Sequence, residues 1–278
     1  MKKIINILFN KAKSFIRIVR IELDLRFGIP YNYFGKKIFA SKQKYLEIFE
    51  VAKNEKFKNI DLFEESNSYK IDRNWLDTLA LHTQVLIKSS KINYQHGRVL
   101  YTSLCKYLKD NDDITILETG TARGFSALCM SKALSDYKKI GKIFTIDILP
   151  HNKKMIWNCI DDIEGPKSRE ELLNPWSNNL QNIEFIRGKS NKVLKKLNLN
   201  RVNFCFLDAV HKFEDLKIEF NYVSEKQLKG DIIIFDDVTI DKFNQVVEFV
   251  KKIENEKKYS INFLSSSDER GYAIAKKL

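Results

Sequence analysis

The spacing of hydrophobic residues changes near residue 94 and divides the chain into two parts. Before that point, apolar residues recur every three to four positions, as on one face of an amphipathic helix. This spacing predicts helices over residues 2–24, 41–56 and 72–90, and the polar stretch EESNSYK separates the second helix from the third. Glycine and proline residues between positions 28 and 35 end the first helical pattern.

From about residue 94 onward, short apolar runs alternate with helical patterns. Five of these runs are predicted strands, namely DITILE, GKIFTIDIL, IEFIRG, VNFCFLDA and DIIIFDD. Strands that are almost continuously apolar are typical of a parallel sheet covered by helices on both faces. Two further runs, YSINFLSS and GYAIAKK, are separated only by SDER, which predicts an antiparallel hairpin at one edge of the sheet. The pattern therefore predicts a doubly wound α/β fold preceded by helices.

The same pattern predicts how the chain is organised. We expect residues 1–93 to form a basic amphipathic helix and a helical cap region, and residues 94–278 to form the main domain. Within the main domain, residues 150–182 form a connection longer than such links usually are. We interpret it as an insertion that covers the substrate, because Trp157 and Trp176 could pack against a ring. The alternative is that both tryptophans only anchor the insertion.

Composition and charge narrow the function classes. A hydrophobic content of 44% over 278 residues is enough for a large core, so wholesale disorder is excluded. The formal net charge is +12, but residues 1–60 hold 14 Lys and Arg against 5 Asp and Glu, whereas the rest of the chain is nearly balanced. This distribution argues against a nucleic-acid-binding surface on the main domain.

The cysteines and the N-terminal helix bear on location. Four cysteines stand far apart with no CxxC pair, which favours reduced thiols, and no apolar run reaches the ~18 residues of a membrane span. Both features predict a cytoplasmic protein. The basic helix over residues 2–24 has three interpretations: contact with the anionic inner face of a membrane, packing on its own domain, or contact with a second subunit of a homo-oligomer.

The stretch ILETGTARGFSAL holds the first candidate site. A predicted strand ends at Glu118, and Gly120 and Gly124 then allow a close approach of the backbone to a ligand. A pyrophosphate site is typically G-x-G-x-x-G at a helix N-terminus. Here the pattern is E-x-G-x-x-x-G, and the carboxylate suits a cationic ligand better than an anionic one.

This stretch resembles the first motif of class I S-adenosylmethionine-dependent methyltransferases. Asp147 stands where that family binds the ribose hydroxyls, RGKS resembles the loop near the adenine, and the terminal hairpin fits the family's Rossmann-like seven-stranded sheet. The resemblance covers residues 94–278 and implies S-adenosylmethionine as the cofactor. The residues that it implies for cofactor binding are Glu118, Gly120, Thr121, Gly124, Ser126, Asp147, Gly188, Ser190 and Asp208.

A second constellation follows the fourth and fifth predicted strands. Asp208 and His211 lie after one strand, and Asp236 and Asp237 lie after the other. Carboxylates this close repel one another unless a cation or protons intervene, and hard oxygen ligands favour Mg²⁺. The constellation resembles the metal-dependent O-methyltransferase branch, which includes the catechol and macrocin-type enzymes. The resemblance implies that Asp208, Asp236 and Asp237 hold the metal.

The catalytic base of that branch stands three residues after the first metal-binding acid, which is His211 here. The run also resembles the D-G-x-H-x-Y-E pattern of the group, with Ala209 for the glycine and Phe213 for the tyrosine. An unperturbed imidazole has a pKa near ~6.5, which suits a general base at neutral pH.

The function predicted from these features is O-methylation of a hydroxyl, with a sugar in a bacterial surface-glycan or natural-product precursor as the acceptor. The competing enzyme reading is a metal-free or N-directed small-molecule methyltransferase. The competing non-enzyme reading is a membrane-associated binding member of the fold. A nicotinamide oxidoreductase is a further alternative, which the missing first glycine of the turn disfavours.

Overall fold

The computed structural model describes residues 2–209, 212–267 and 270–278, without the side chains of residues 2–8, 10 and 11. Its strands form one sheet of order β3-β2-β1-β4-β5-β7-β6. The strands are β1 (Ile114–Thr119), β2 (Gly141–Asp147), β3 (Ile183–Arg187), β4 (Phe204–Leu207), β5 (Ile232–Phe235), β6 (Tyr259–Ser267) and β7 (Arg270–Lys277). The first five strands are parallel, and β7 runs antiparallel to both β5 and β6. The predicted Rossmann-like fold with a C-terminal antiparallel hairpin is confirmed.

Helices cover both faces of the sheet and also precede it. They are α1 (Lys2–Phe27), α2 (Lys42–Asn54), α3 (Lys58–Asn67), α4 (Arg73–Thr83), α5 (His96–Leu108), α6 (Phe125–Asp136), α7 (Arg169–Leu173), α8 (Ser177–Leu180), α9 (Ser190–Val193), α10 (Phe213–Glu225) and α11 (Ile240–Asn255). Side chains alternate along β1, so Ile116 packs into the cluster with α5 and α6, whereas Leu117 packs with α10 and α11. The sheet therefore separates two hydrophobic layers.

The helices before residue 94 share the first of these layers. Leu76 and Leu79 of α4 are fully buried in the same cluster as Ile114 and Ile116 of β1. The core is thus continuous across the boundary that the sequence predicts between residues 93 and 94. The separate cap region remains a prediction of the sequence.

Two local predictions in the N-terminal part were wrong. The polar EESNSYK stretch is not a separator, because its first four residues end α3, where buried Glu64 pairs with Arg98 of α5. The third predicted helix ends at Thr83 instead of continuing to residue 90. Beyond it, the backbone N–H and C=O of Ile87 bond to the side chain of Asn158. These contacts replace the helical bonds and leave residues 84–93 as an extended connection.

The last turns of α1 are held against the carboxyl ends of β2 and β3. Asp24 is buried and accepts hydrogen bonds from Tyr33 at 2.9 Å and Arg187 at 2.5 Å. Glu22 pairs with Lys189 and, at 3.2 Å, with Lys192, and the bond from Lys189 lowers the pKa of Glu22 to about 2. In the described part of the chain, no helix is both long and apolar enough to traverse a bilayer.

Candidate functional site

The carboxyl ends of β4 and β5 bring three predicted residues together. Because β4 and β5 are parallel neighbours, the residues that follow them meet at one edge of the sheet. Asp208, Asp236 and Asp237 each offer an oxygen, and these oxygens lie within 4.8 Å of one another. Asp236 is buried and the other two are partly exposed. Asp237 has a φ of 56°, in the left-handed region that Asp adopts more readily than most residues.

A cation from the hairpin neutralises part of this cluster. Arg270 at the start of β7 forms a hydrogen-bonded ion pair with Asp236, and its Nε lies 3.9 Å from Asp237. The close packing that allows this depends on Gly271, because a Cβ there would lie 2.6 Å from the Val238 carbonyl oxygen. The sequence analysis missed Arg270, since nothing in its local pattern distinguishes it from a surface arginine.

Burial and mutual repulsion set the charges of the three acids. Burial opposes the ionisation of Asp236, but the charge of Arg270 outweighs it and lowers the pKa of this carboxyl. Burial and the charge of Asp236 raise the pKa of Asp208 well above its usual range. The same two causes raise the pKa of Asp237 to about 6. The simultaneous ionisation of all three acids is therefore opposed, and a further cation would favour it.

The donor set of the cluster fits a hard divalent cation. Three carboxylate oxygens at this spacing are the ligands that Mg²⁺ prefers, and no cysteine or histidine belongs to the group among the described residues. His211, which the sequence predicts as the base beside it, lies outside the described residues.

The first cavity lies beside the glycine turn, on the side of β1 and β2. It has a volume of about 500 Å³, within the range of small-molecule sites. Five of the predicted cofactor-binding residues line it, namely Gly120, Asp147, Gly188, Ser190 and Asp208. At Gly120 the backbone comes so close to β4 that a Cβ would lie 2.2 Å from the Asp208 carbonyl oxygen, so only glycine fits.

Asp147 is held at the rim of this cavity by the backbone. Its two oxygens accept hydrogen bonds from the N–H groups of Ala122 at 2.8 Å and Leu149 at 2.7 Å. Burial raises the pKa of Asp147, whereas the charge of Arg169 acts in the opposite direction. Each carboxylate oxygen keeps a lone pair for a further donor, such as a sugar hydroxyl.

Other residues that line the first cavity could not be found from the sequence. Arg17 of α1 lines the cavity, as do Tyr33 and Phe34 from the segment after α1. Asn191 also lines it, and its buried side-chain oxygen has no hydrogen-bond partner among the described residues. The apolar rings suit a heteroaromatic base.

The remaining four predicted cofactor-binding residues lie behind the cavity wall. Glu118 is fully buried and accepts hydrogen bonds from the hydroxyls of Ser126 and Thr145, and Thr121 bonds to Thr145 in turn. Burial raises the pKa of Glu118 to about 7. Neither these residues nor Gly124 is among the described residues that line the cavity. These four residues support the turn in the structure, and their role in cofactor binding stays a prediction.

The insertion also supports the turn. Buried Arg169 donates from Nε to the carbonyl of Ala122 at 2.9 Å, and buried Arg123 donates from Nε to the carbonyl of Trp157 at 2.7 Å. Trp157 is wholly buried, and Trp176 is 7% exposed. Of the two interpretations of these tryptophans, their burial favours the one in which both anchor the insertion.

A second cavity, of about 550 Å³, adjoins the acidic cluster. Asp237 and Arg270 line it together with residues from the connection after α4, from the start of α11 and from the hairpin. None of the described lining residues belongs to the insertion. The acidic cluster thus borders both cavities, since Asp208 lines the first and Asp237 lines the second.

Comparisons with known proteins agree with this architecture. Residues 117–238 match the family model of a methyltransferase domain. No curated protein matches the chain in sequence. The O-methyltransferase TomG from Streptomyces achromogenes, solved in complex with SAM, is 16% identical with a TM-score of 0.53, and the match covers 75% of this chain and 91% of that one.

Two further solved structures share the fold. The O-methyltransferase from Bacillus cereus in complex with SAH is 16% identical with a TM-score of 0.52, and the match covers 85% of this chain and 100% of that one. Cofactor-bound Rv0187 from MTB is 16% identical with a TM-score of 0.56, and the match covers 81% of this chain and 98% of that one.

Proposed function

We propose that the protein is a class I methyltransferase that depends on S-adenosylmethionine and that it methylates a hydroxyl oxygen of a small molecule or glycan precursor. The observation that carries this proposal is the position of the acidic cluster. The cluster borders the cavity that would hold the methyl donor and also a second cavity that would hold the acceptor. Holding both reactants at one cluster aligns them and lowers the entropic part of the barrier.

Residues of the first cavity would bind the donor. Asp147 would accept hydrogen bonds from the ribose hydroxyls, and Gly120 would let the backbone approach the cofactor. Tyr33 and Phe34 would supply apolar area around the adenine ring. Gly188, Ser190 and Asp208 complete the wall.

His211 would remove the acceptor proton. As the new O–CH₃ bond forms, the S–CH₃ bond breaks, the sulfonium becomes a neutral thioether and the hydroxyl proton passes to the imidazole. Asp208, Asp236 and Asp237 would hold Mg²⁺, which when bound lowers the pKa of the acceptor hydroxyl and orients it. Arg270 limits the net charge of the three acids and fixes the orientation of Asp236.

Calorimetry and an activity assay test this proposal. S-adenosylhomocysteine should bind to the purified protein, and Asp147→Asn should weaken its binding about tenfold, as expected for the loss of a charge-assisted hydrogen bond. Methyl transfer to the acceptor should stop in EDTA and return with MgCl₂. Unchanged transfer in EDTA would contradict the role of the metal and leave the metal-free reading. No binding of S-adenosylhomocysteine would contradict the enzyme function as a whole.

For the acceptor, we propose a sugar hydroxyl in a bacterial surface-glycan or natural-product precursor. Mass spectrometry of the native glycan from cells with and without the gene tests this directly. The glycan from cells that contain the protein should be heavier by one CH₂ group per methylated residue. A glycan of equal mass in both strains would contradict the glycan assignment. A mass difference carried by an amine would support the N-directed alternative.

For the N-terminal helix, we propose that its outer face contacts the anionic inner face of a membrane. Phe15, Ile16 and Val19 are exposed on α1, on the side away from buried Ile21 and Asp24. Lys13 and Arg20 are exposed on the same segment of α1 and complement anionic lipid headgroups. A second copy of the chain is the competing partner, which would produce a homo-oligomer.

A further inference from the structure

Among the described residues, more basic than acidic side chains line the second cavity. Lys88, Lys91, Lys242 and Arg270 line it, against Asp237 and Glu55. Arg270 forms an ion pair with Asp236, and the Nζ atom of Lys91 lies 3.5 Å from a carboxylate oxygen of Glu55. Lys88 has no ion-pair partner within 4.0 Å among the described residues, so its charge faces the cavity uncompensated.

The surroundings of Lys88 make an anionic ligand favourable. Its side chain is accessible through the open cavity, but enough protein surrounds the ammonium group that burial lowers its pKa, and the charge of Arg270 lowers the pKa further. The charge of Asp237 acts on the pKa of Lys88 in the opposite direction. A ligand oxyanion near Lys88 would supply the missing partner.

The position of Lys88 fits an acceptor that extends in two directions. Lys88 lines the cavity beside Asp237 and also an adjoining groove of about 710 Å³ along α2. Ile48 and Val51 give the groove an apolar wall. An anionic group bound at Lys88 would leave room for a hydroxyl-bearing ring on the side of Asp237 and for a further substituent in the groove.

From this arrangement we infer that the methyl acceptor carries an oxyanion, a phosphate or a carboxylate, that Lys88 binds while the acceptor hydroxyl lies at Asp237. The inference rests on the proposed function and specifies its substrate class. Lys88 would act as a specificity residue, because it selects charged acceptors over neutral ones of the same shape. Neither the cofactor cavity nor the turn at Gly120 includes Lys88.

Calorimetry with three sugar probes tests the inference on protein saturated with S-adenosylhomocysteine. Glucose 1-phosphate carries a phosphate, glucuronate carries a carboxylate, and methyl glucoside is neutral. We expect at least one charged sugar to bind about tenfold more tightly than methyl glucoside. The phosphate and carboxylate arms identify which oxyanion the site prefers.

Variants of Lys88 show whether this residue causes the preference for charged sugars. Lys88→Met should abolish the preference for the charged sugar, and Lys88→Arg should retain it. Lys36→Met, on the exposed segment after α1, is the matched control and should behave like the wild type. The inference is overturned if neither charged sugar binds more tightly than methyl glucoside, or if Lys88→Met retains the preference. Because saturation with S-adenosylhomocysteine is measured first, failure of the proposed function would be recognised separately.

Discussion

Arg270, the first residue of β7, pairs with the buried carboxylate of Asp236, which follows the neighbouring strand β5. The side chain of Asp236 is wholly inaccessible to solvent, so its charge depends on this guanidinium. The pair links the antiparallel hairpin to the acidic cluster at the edge of the parallel strands. The antiparallel hairpin is therefore also part of the candidate active site.

Removing the guanidinium should destabilise the fold. Arg270→Met leaves a buried carboxylate uncompensated, which typically costs about 3–5 kcal/mol in the free energy of unfolding. Urea denaturation would measure this loss, and added MgCl₂ should restore part of it if the cluster binds the ion. Lys142→Met, which breaks the exposed pair with Glu184, is the control and should cost at most about 1 kcal/mol. Equal stability of Arg270→Met and the wild type would show that the pair is not needed.

Asp237→Asn should lower the rate of methyl transfer without weakening cofactor binding. The amide is similar in size but lacks the charge that a divalent cation requires. Activity should fall by at least the roughly 10–100-fold seen when metal-site residues are altered, while the affinity for S-adenosylhomocysteine stays unchanged. Asp241→Asn, at an exposed position on α11, is the control. A variant with full activity would contradict metal ligation by Asp237.

His211→Gln should remove the general base. The expected fall in kcat is about 10²–10⁴-fold, and the rise of kcat with pH near ~6.5 should disappear. His82→Gln is the control, since His82 pairs with Asp161 at 2.6 Å and does not line either cavity. If the variant kept the pH dependence of the wild type, another group would have to be the base.

The buried carboxyl of Glu118 should make stability depend on pH. Folding raises its pKa from 4.5 to about 7, so the folded protein retains a proton that the unfolded chain has released. This contribution is fully present below pH 4.5 and is lost as the pH rises through 7, by roughly 3 kcal/mol. Glu118→Gln should therefore gain that amount relative to the wild type between pH 4.5 and 8, measured by urea denaturation of the cofactor-free proteins.

The difference between the free energies of unfolding of Glu118→Gln and the wild type is the decisive quantity in that experiment. Burial also raises the pKa of Glu219 to about 7, so both proteins should share a pH-dependent loss from that residue. Subtracting one profile from the other cancels the contribution of Glu219. If the difference in the free energy of unfolding does not change with pH, Glu118 ionises normally in the folded state.

The outer face of α1 should determine binding to anionic vesicles. Replacing Phe15 and Val19 by serine removes exposed apolar area, and each side chain is worth about 1.5–3 kcal/mol when fully buried. Cosedimentation with phosphatidylserine vesicles should fall at least tenfold. The control is the double change Val51→Ser and Leu62→Ser, which removes exposed apolar side chains from α2 and α3. If the wild-type protein does not bind the vesicles but forms dimers, this result would favour contact of α1 with a second copy of the chain.

The sequence by itself determined the strands of the parallel half, the terminal hairpin and the acids at the strand ends. These features depend on local periodicity and on the residue at which a strand ends. Residues that are close together in the sequence determine both. The positions of Asp208 and Asp237 beside each other followed from this, because parallel neighbouring strands end at the same edge.

Only the tertiary structure decided which residues face the cavities and which support them. Glu118 is buried behind the glycine turn, Arg270 is paired with Asp236, and Lys88 faces a second cavity because the third predicted helix ends early. Asp236 lies 34 residues before Arg270, and the partner hydroxyl of Thr145 lies 27 residues after Glu118. Asp237 and Lys242, which line the cavity with Lys88, follow it by 149 and 154 residues. Such contacts leave no periodic signal in the chain, so no local pattern could have revealed them.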